Sequence, residues 1–164
     1  MRISVVISLP EVTPNLQEHL ESIAAQTRPP DELFVCNETG EIFQRFSTKV
    51  AFRVRFNPSE EEAIRACEGD VIICSEQDNI WFPEKLAQIV ETFSAFPNSG
   101  AVLANAELMD ENLKPLGCSL WESIGFGPTE QKALKDKKKL AGLLRQDAIA
   151  TLASRKEYAL ALLD

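Results

Sequence analysis

Histidine is almost missing from this chain: His19 is the only one in 164 residues. A metal centre of several imidazoles is therefore excluded, and no triad built on histidine is expected. His19 itself is expected off the apolar stripe of its helix, as an exposed residue. Cysteine is sparse too: Cys36, Cys67, Cys74 and Cys118 are widely spaced, with no Cys-x-x-Cys. The first three lie inside apolar patterns, so buried free thiols are expected rather than disulfides or zinc. Basic residues are outnumbered, 17 Lys and Arg against 25 Asp and Glu, for a net charge of -8. That argues against a nucleic-acid binder, since phosphate backbones are held mainly by Lys and Arg. A nucleotide's few phosphates can still be met through a bound cation. No stretch approaches the ~20 apolar residues of a membrane span. Met1-Arg2-Ile3 runs into a strand pattern without a secretory leader, so a cytoplasmic protein is expected. Gly125 and Gly127 lack the third glycine and preceding strand of a dinucleotide fingerprint, and no Gly-Lys-Ser/Thr forms a P-loop. Repeats, low-complexity tracts and linkers are absent as well. One domain is expected, with a ligand-binding part over 1–105 and a hairpin plus helical part over 106–164.

What is present reads as alternating strands and helices. Ile3 to Leu9 is continuously apolar, the mark of a strand buried on both faces. Thr13-Pro14 then opens a helix carrying Leu16, Leu20, Ile23 and Ala24, which Pro29-Pro30 stops before a second buried strand, Leu33 to Cys36. That spacing is a βαβ unit with parallel strands. Ile42, Phe43 and Phe46 suggest a short helix. Phe52, Val54 and Phe56 alternate with Arg53 and Arg55, as in a half-exposed strand near a sheet edge. Asn57-Pro58-Ser59-Glu60 caps a helix bearing Ala63, Ile64 and Cys67. A helix from Pro83 carries Leu86, Ile89, Val90, Phe93 and Phe96, and Ala101 to Ala104 is a strand. Glu107 to Leu120 holds the turn signals of a hairpin. Thr129 begins a long amphipathic helix with Lys132, Lys135, Lys137, Lys138 and Lys139. A solvated face is the default for such a run, and an anionic-lipid patch is the alternative. Ala148 to Ala153 suggests a further strand, and Ser154-Arg155-Lys156-Glu157 a capping box for a last helix ending at Leu163. The fold class is α/β.

The chain is organised around Gly69 to Leu86. An apolar strand, Val71 to Cys74, breaks into Glu76-Gln77-Asp78-Asn79 before the Pro83 helix. Carboxylates at the carboxyl end of a buried strand lie where open α/β sheets bind ligands. Glu76 and Asp78 could share one hard cation that bridges to phosphates. The plain alternative is a polar connection. A phosphoacceptor receiver domain has a similar look but wants acidic residues after the first strand, where Leu9-Pro10-Glu11 offers one.

Glu76-Gln77-Asp78-Asn79-Ile80-Trp81-Phe82-Pro83-Glu84-Lys85-Leu86 resembles the Asp-x-Asp metal motif of family 2 glycosyltransferases, with its Trp, Pro and Lys-Leu in register. Ser4 to Ser8, Leu20 to Pro29, Glu32 to Glu38 and Ala106 to Gly117 are similar to further segments of that family. The resemblance implies a three-layer α/β/α sandwich of the GT-A type with a mostly parallel central sheet. It implies a nucleoside diphosphate sugar at the strand ends, a divalent cation (Mn²⁺ or Mg²⁺) on the diphosphate, and transfer to a saccharide or lipid-linked acceptor. By the same resemblance Ser8, Leu9, Asn37, Glu38 and Glu76 contact the nucleotide, and Asp78 with Glu76 holds the metal. Membrane contact is at most peripheral. Here Asn37-Glu38 stands for the family's Asp-Asp, and Glu76 for its first motif aspartate. The family's general base follows the helix that Ser154 begins, and no residue of this chain matches it. Glu107, Asp110 and Glu122 are the carboxylates that could replace it. The alternative function is a non-catalytic binding or interaction domain on the same fold.

Overall fold

The computed structural model describes residues 1–8, 14–36, 41–76, 79–132, 151–161 and 163. It forms two compact units, one of Met1–Val102 with Leu152–Asp164 and one of Leu103–Thr151. In the first, β1 (Ile3–Ser8) runs between β2 (Glu32–Cys36) and β4 (Val71–Ser75), parallel to both. The edge is β3 (Arg53–Asn57), parallel to β2. On the other side β8 (Thr151–Arg155) pairs antiparallel with β4. With β5 (Ala101–Ala104) the six strands are ordered β3-β2-β1-β4-β8-β5, a mostly parallel sheet.

The side-chain period of two sorts the strand residues into two cores. Ile3, Val5, Ile7, Leu33, Val35, Val71 and Ile73 face α1 (Leu16–Ala24), α2 (Glu41–Ser47) and α4 (Lys85–Ala95), through Leu16, Leu20, Ile23, Phe43, Leu86 and Phe93. Val6, Phe34, Cys36 and Ile72 face α3 (Glu60–Ala66) and α7 (Lys156–Ala161), through Ala63, Ile64 and Ala159. Helices on both faces complete the α/β/α sandwich. Each apolar run is buried on both sides, which is why the strands read as continuous rather than alternating.

Local signals act largely as the sequence predicts. Ser59 caps α3 by accepting from the Glu62 N–H at 3.2 Å. The thiols are free, with Cys36 and Cys67 buried. Burial pushes Cys36 and Cys74 up to about 12 and Cys67 to about 11, so these thiols stay protonated and inert at neutral pH. Two expectations fail. Ser154 does not cap the last helix: it is a buried β8 residue opposite Ile72, and the helix begins only at Lys156. His19 is fully buried rather than exposed. The misreading was of phase, since Leu16, His19, Leu20 and Ile23 stand at i, i+3, i+4 and i+7, one inward face of a helix.

The amino-terminal edge of the sheet is tied by Glu32, which is fully buried. Its Oε1 accepts from Ser4 Oγ and from the Glu68 N–H, each at 2.6 Å, and Arg55 and Arg53 stand 3.5 and 3.7 Å from Oε2. Gly69 N–H donates to Ser4 Oγ at 2.9 Å, and a Cβ on Gly69 would lie 2.6 Å from the Ser4 nitrogen.

In the second unit β6 (Glu107–Met109) and β7 (Pro115–Ser119) form an antiparallel hairpin, followed by α5 (Leu120–Ser123) and α6 (Pro128–Lys132). Asp110 Oδ1 closes the turn by accepting from the N–H groups of Asn112 and Lys114, both at 2.9 Å. The expected lysine-rich helix begins at Pro128, and Lys135 to Lys139 lie outside the described residues. Among the described residues no helix is long and apolar enough to cross a membrane.

Candidate functional site

Three parallel strands leave the sheet at one edge. In register, Ser8 pairs with Cys36 and Ile7 with Ser75, so the exits of β1, β2 and β4 are neighbours. Ser8 is half-buried there, Ser75 is buried and Glu76 is exposed. Leu9, Asn37, Glu38 and Asp78 lie outside the described residues, so of the sequence-derived candidates the structure places Ser8 and Glu76.

The connection after β4 is shaped by one face of α1. The ring of His19 meets the Asn79 carbonyl through Nδ1, which makes Nδ1 the protonated nitrogen and leaves Nε2 as an acceptor. The Ser75 hydroxyl lies 3.3 Å from that Nε2. One turn on, Ser22 Oγ donates to the His19 carbonyl at 2.7 Å and accepts from the Trp81 N–H at 3.0 Å. Just past the end of α1, Gln26 donates to the Phe82 carbonyl at 2.8 Å and accepts from the Leu86 N–H at 3.0 Å. Thr27 N–H reaches the Pro83 carbonyl at 2.9 Å. His19 and Ser22 lie three residues apart on one face of α1, and Gln26 follows just beyond the helix's end. The two stretches that carry the family resemblance, Leu20 to Pro29 and Glu76 to Leu86, thus meet in space. His19 went unrecognised in the sequence as the residue that anchors this connection.

Trp81 is buried edge-on against His19, with ring centroids 5.8 Å apart, and Lys85 Nζ sits 5.1 Å from the Trp81 ring centre. Burial pulls Lys85 down to about 8, while the indole face favours its cation. Trp81 Nε1 is buried with no hydrogen-bond partner among the described residues.

Among the described residues no group of three or more His, Cys, Asp or Glu side chains could hold a metal. Glu76, exposed at the strand exit, is the one described side chain of the expected metal pair, and its hard oxygens suit Mg²⁺ or Mn²⁺. Of the carboxylates in the hairpin unit, Asp110 is committed to its turn. Glu122 is committed to a capping box, accepting from Ser119 N–H and Oγ, which holds its carboxyl below the usual range. Glu107 is exposed.

A mostly parallel sheet between two helical layers, with a carboxylate at the exit of an inner strand, is an α/β/α sandwich of the GT-A-like class. The sequence profile of glycosyl transferase family 2 matches residues 4–141, and the chain belongs to that family. No curated protein sequence matches it. Similar solved structures include S. aureus TarS 1–349, 17% identical, with a TM-score of 0.51 over 74% of this chain and 40% of TarS. TarS 1–349 in complex with UDP-GlcNAc is 17% identical, with a TM-score of 0.52 over 68% of this chain and 36% of that one. CMP:2-keto-3-deoxy-manno-octonic acid synthetase complexed with CTP is 10% identical, with a TM-score of 0.52 over 99% of this chain and 78% of that one. At these identities the likeness is one of fold. The chain spans at most two fifths of the TarS chains it matches.

Proposed function

We propose that this chain binds a nucleoside diphosphate sugar at the carboxyl edge of β1, β2 and β4, for glycosyl transfer to a saccharide or lipid-linked acceptor. The observation that carries this reading is the convergence of three strand exits at one edge in a family 2 chain, with exposed Glu76 leaving the inner strand β4. In this reading Ser8, Leu9, Asn37 and Glu38 hold the nucleoside, Glu76 reaches the ribose and the metal edge, and Asp78 with Glu76 holds the cation. A divalent cation bound there supplies charge neutralisation for the diphosphate leaving group. His19, Ser22 and Gln26 position that connection from below. The UDP-GlcNAc held by TarS and the CTP held by the synthetase make pyrimidine nucleotides the first donors to test.

Titration calorimetry against UDP, CDP, GDP and their sugars, with Mn²⁺ and with chelator, tests the reading. Binding is expected only with the cation, lost in Asp78→Ala and weakened about tenfold in Glu76→Ala. Equal affinity in chelator would remove both carboxylates from the site.

One observation favours a second reading, binding without transfer. Of the carboxylates proposed to replace the general base, Asp110 and Glu122 are already tied to backbone N–H groups, which leaves Glu107. Product detection with candidate donors and acceptors separates the two readings, and turnover lost in Glu107→Gln would assign the base.

A further inference from the structure

Between α1 and α2 lies a cavity of about 560 Å³, wholly within the first unit and built from residues that the donor-binding reading does not use. On α1 its lining residues Gln17, Leu20, Glu21 and Ala24 stand at i, i+3, i+4 and i+7, a single stripe of the helix. At 3.6 residues per turn that stripe lies on the flank turned away from His19 and Ser22. The opposing residues, Arg45, Phe46, Lys49 and Val50, come from α2 and the turn that follows it.

The lining sorts by chemistry into a floor and two walls. Leu20 and Phe46 are buried and Val50 is half-buried, and with Ala24 they make the apolar floor. The α1 wall accepts hydrogen bonds. Gln17 Nε2 donates to Glu21 Oε1 at 2.9 Å, so what this pair offers a ligand is the Gln17 carbonyl and the second oxygen of the Glu21 carboxylate. The α2 wall donates, through the Arg45 guanidinium and the Lys49 ammonium, which have no acceptor atoms.

An anionic, accepting wall opposite a cationic, donating one, over an apolar floor, matches a molecule with an ammonium at one end, a carboxylate at the other and apolar groups between. A cavity of this volume is of the size that holds a drug-sized ligand. A free amino acid carries both charges on one carbon, whereas a short peptide sets them apart and places apolar side chains between them. We propose that the cavity between α1 and α2 binds a short apolar peptide by its free termini, the amino end on Gln17 and Glu21 and the carboxyl end on Arg45 and Lys49. Its side chains displace water from Leu20, Phe46 and Val50, and its charged ends stay at the hydrated rim.

The test is calorimetry of the whole chain with the tripeptide Leu-Ala-Leu, its N-acetyl and C-amide forms, free leucine and decanoate, while NMR follows the methyl resonances of Leu20, Ala24 and Val50. The free tripeptide is expected to bind saturably and to move those methyls. Blocking either terminus should weaken it about fivefold, the upper end for one exposed ion pair. In Glu21→Gln the free and N-acetyl peptides should bind alike, and in the double variant Arg45→Gln with Lys49→Gln the free and amide forms should. All three positions are exposed, and an unchanged urea midpoint reports that the variants are folded. No saturable binding of the tripeptide, a blocked form bound as tightly as the free one, or leucine or decanoate bound more tightly than the tripeptide would each overturn the proposal. Discrimination between free and blocked termini that survives in the variants would overturn it as well.

Discussion

His19 meets the Trp81 ring edge-on, and the Lys85 ammonium sits over the same ring. His19 donates through Nδ1 to the Asn79 carbonyl and stands beside the Ser75 hydroxyl. His19→Leu fills the volume but strands both partners, which should cost about 1–3 kcal/mol. Urea denaturation followed by Trp fluorescence checks this, and an unchanged midpoint would mean the connection is held without the ring. Lys85 is held at about 8 against an ordinary 10.5, chiefly because burial disfavours its charge. Between those two pH values the unfolded chain binds more protons than the folded one, so stability should rise with pH across that window. Below pH 8 the penalty is fully present. Melting curves at several pH values check this, and a stability that falls between about pH 8 and pH 10 would mean that burial does not govern the Lys85 charge.

At the scale of elements, α1 acts as a rigid ruler. His19 and Ser22 on its inward side, with Gln26 just past its end, hold the backbone at Asn79, Trp81 and Leu86, so the connection after β4 is shaped by a helix in the layer beside it. The opposite edge of the sheet is held by close approach. Gly69 lets the start of β4 lie against β1, and the obstacle to a side chain there is the backbone of Ser4, in the middle of the sheet, which cannot give way. Gly69→Ala should destabilise by about 2–3 kcal/mol, as overpacking does in a filled core. Chemical denaturation measures it, and a neutral result would show that β1 and β4 can separate at that end. The neighbouring Arg2, Arg53 and Glu68 ion pairs are exposed and contribute far less.

For the whole molecule, charge sets the terms of binding. A chain of net charge -8 with Glu76 at the exit of β4 repels a diphosphate, so the cation dependence proposed for nucleotide affinity follows from the overall charge balance as well. The parallel order of β3, β2, β1 and β4 is what makes such an edge possible, because every exit lies on the same side. An antiparallel neighbour in place of β2 would have sent Cys36 to the other end.

The sequence by itself determined the layers and the parallel strands, because runs buried on both faces and helices between them leave few other arrangements. It also determined the hairpin, the Ser59 cap and the family, since these rest on residues adjacent in the chain. The tertiary structure decided what depends on residues far apart. What His19 holds was set by the fold, because its partners, Ser75 and Asn79, are 56 and 60 positions away. The burial of Glu32 depends on Ser4, Arg55 and Glu68, which come to it only in the folded sheet. Ser154 matched a capping box, yet pairing with β4 kept it in a strand. The cavity between α1 and α2 brings Glu21 and Arg45 to one space, and no local spacing announces it. Local patterns fix which elements form; contacts between elements fix which side chains meet, and packing alone selects among them.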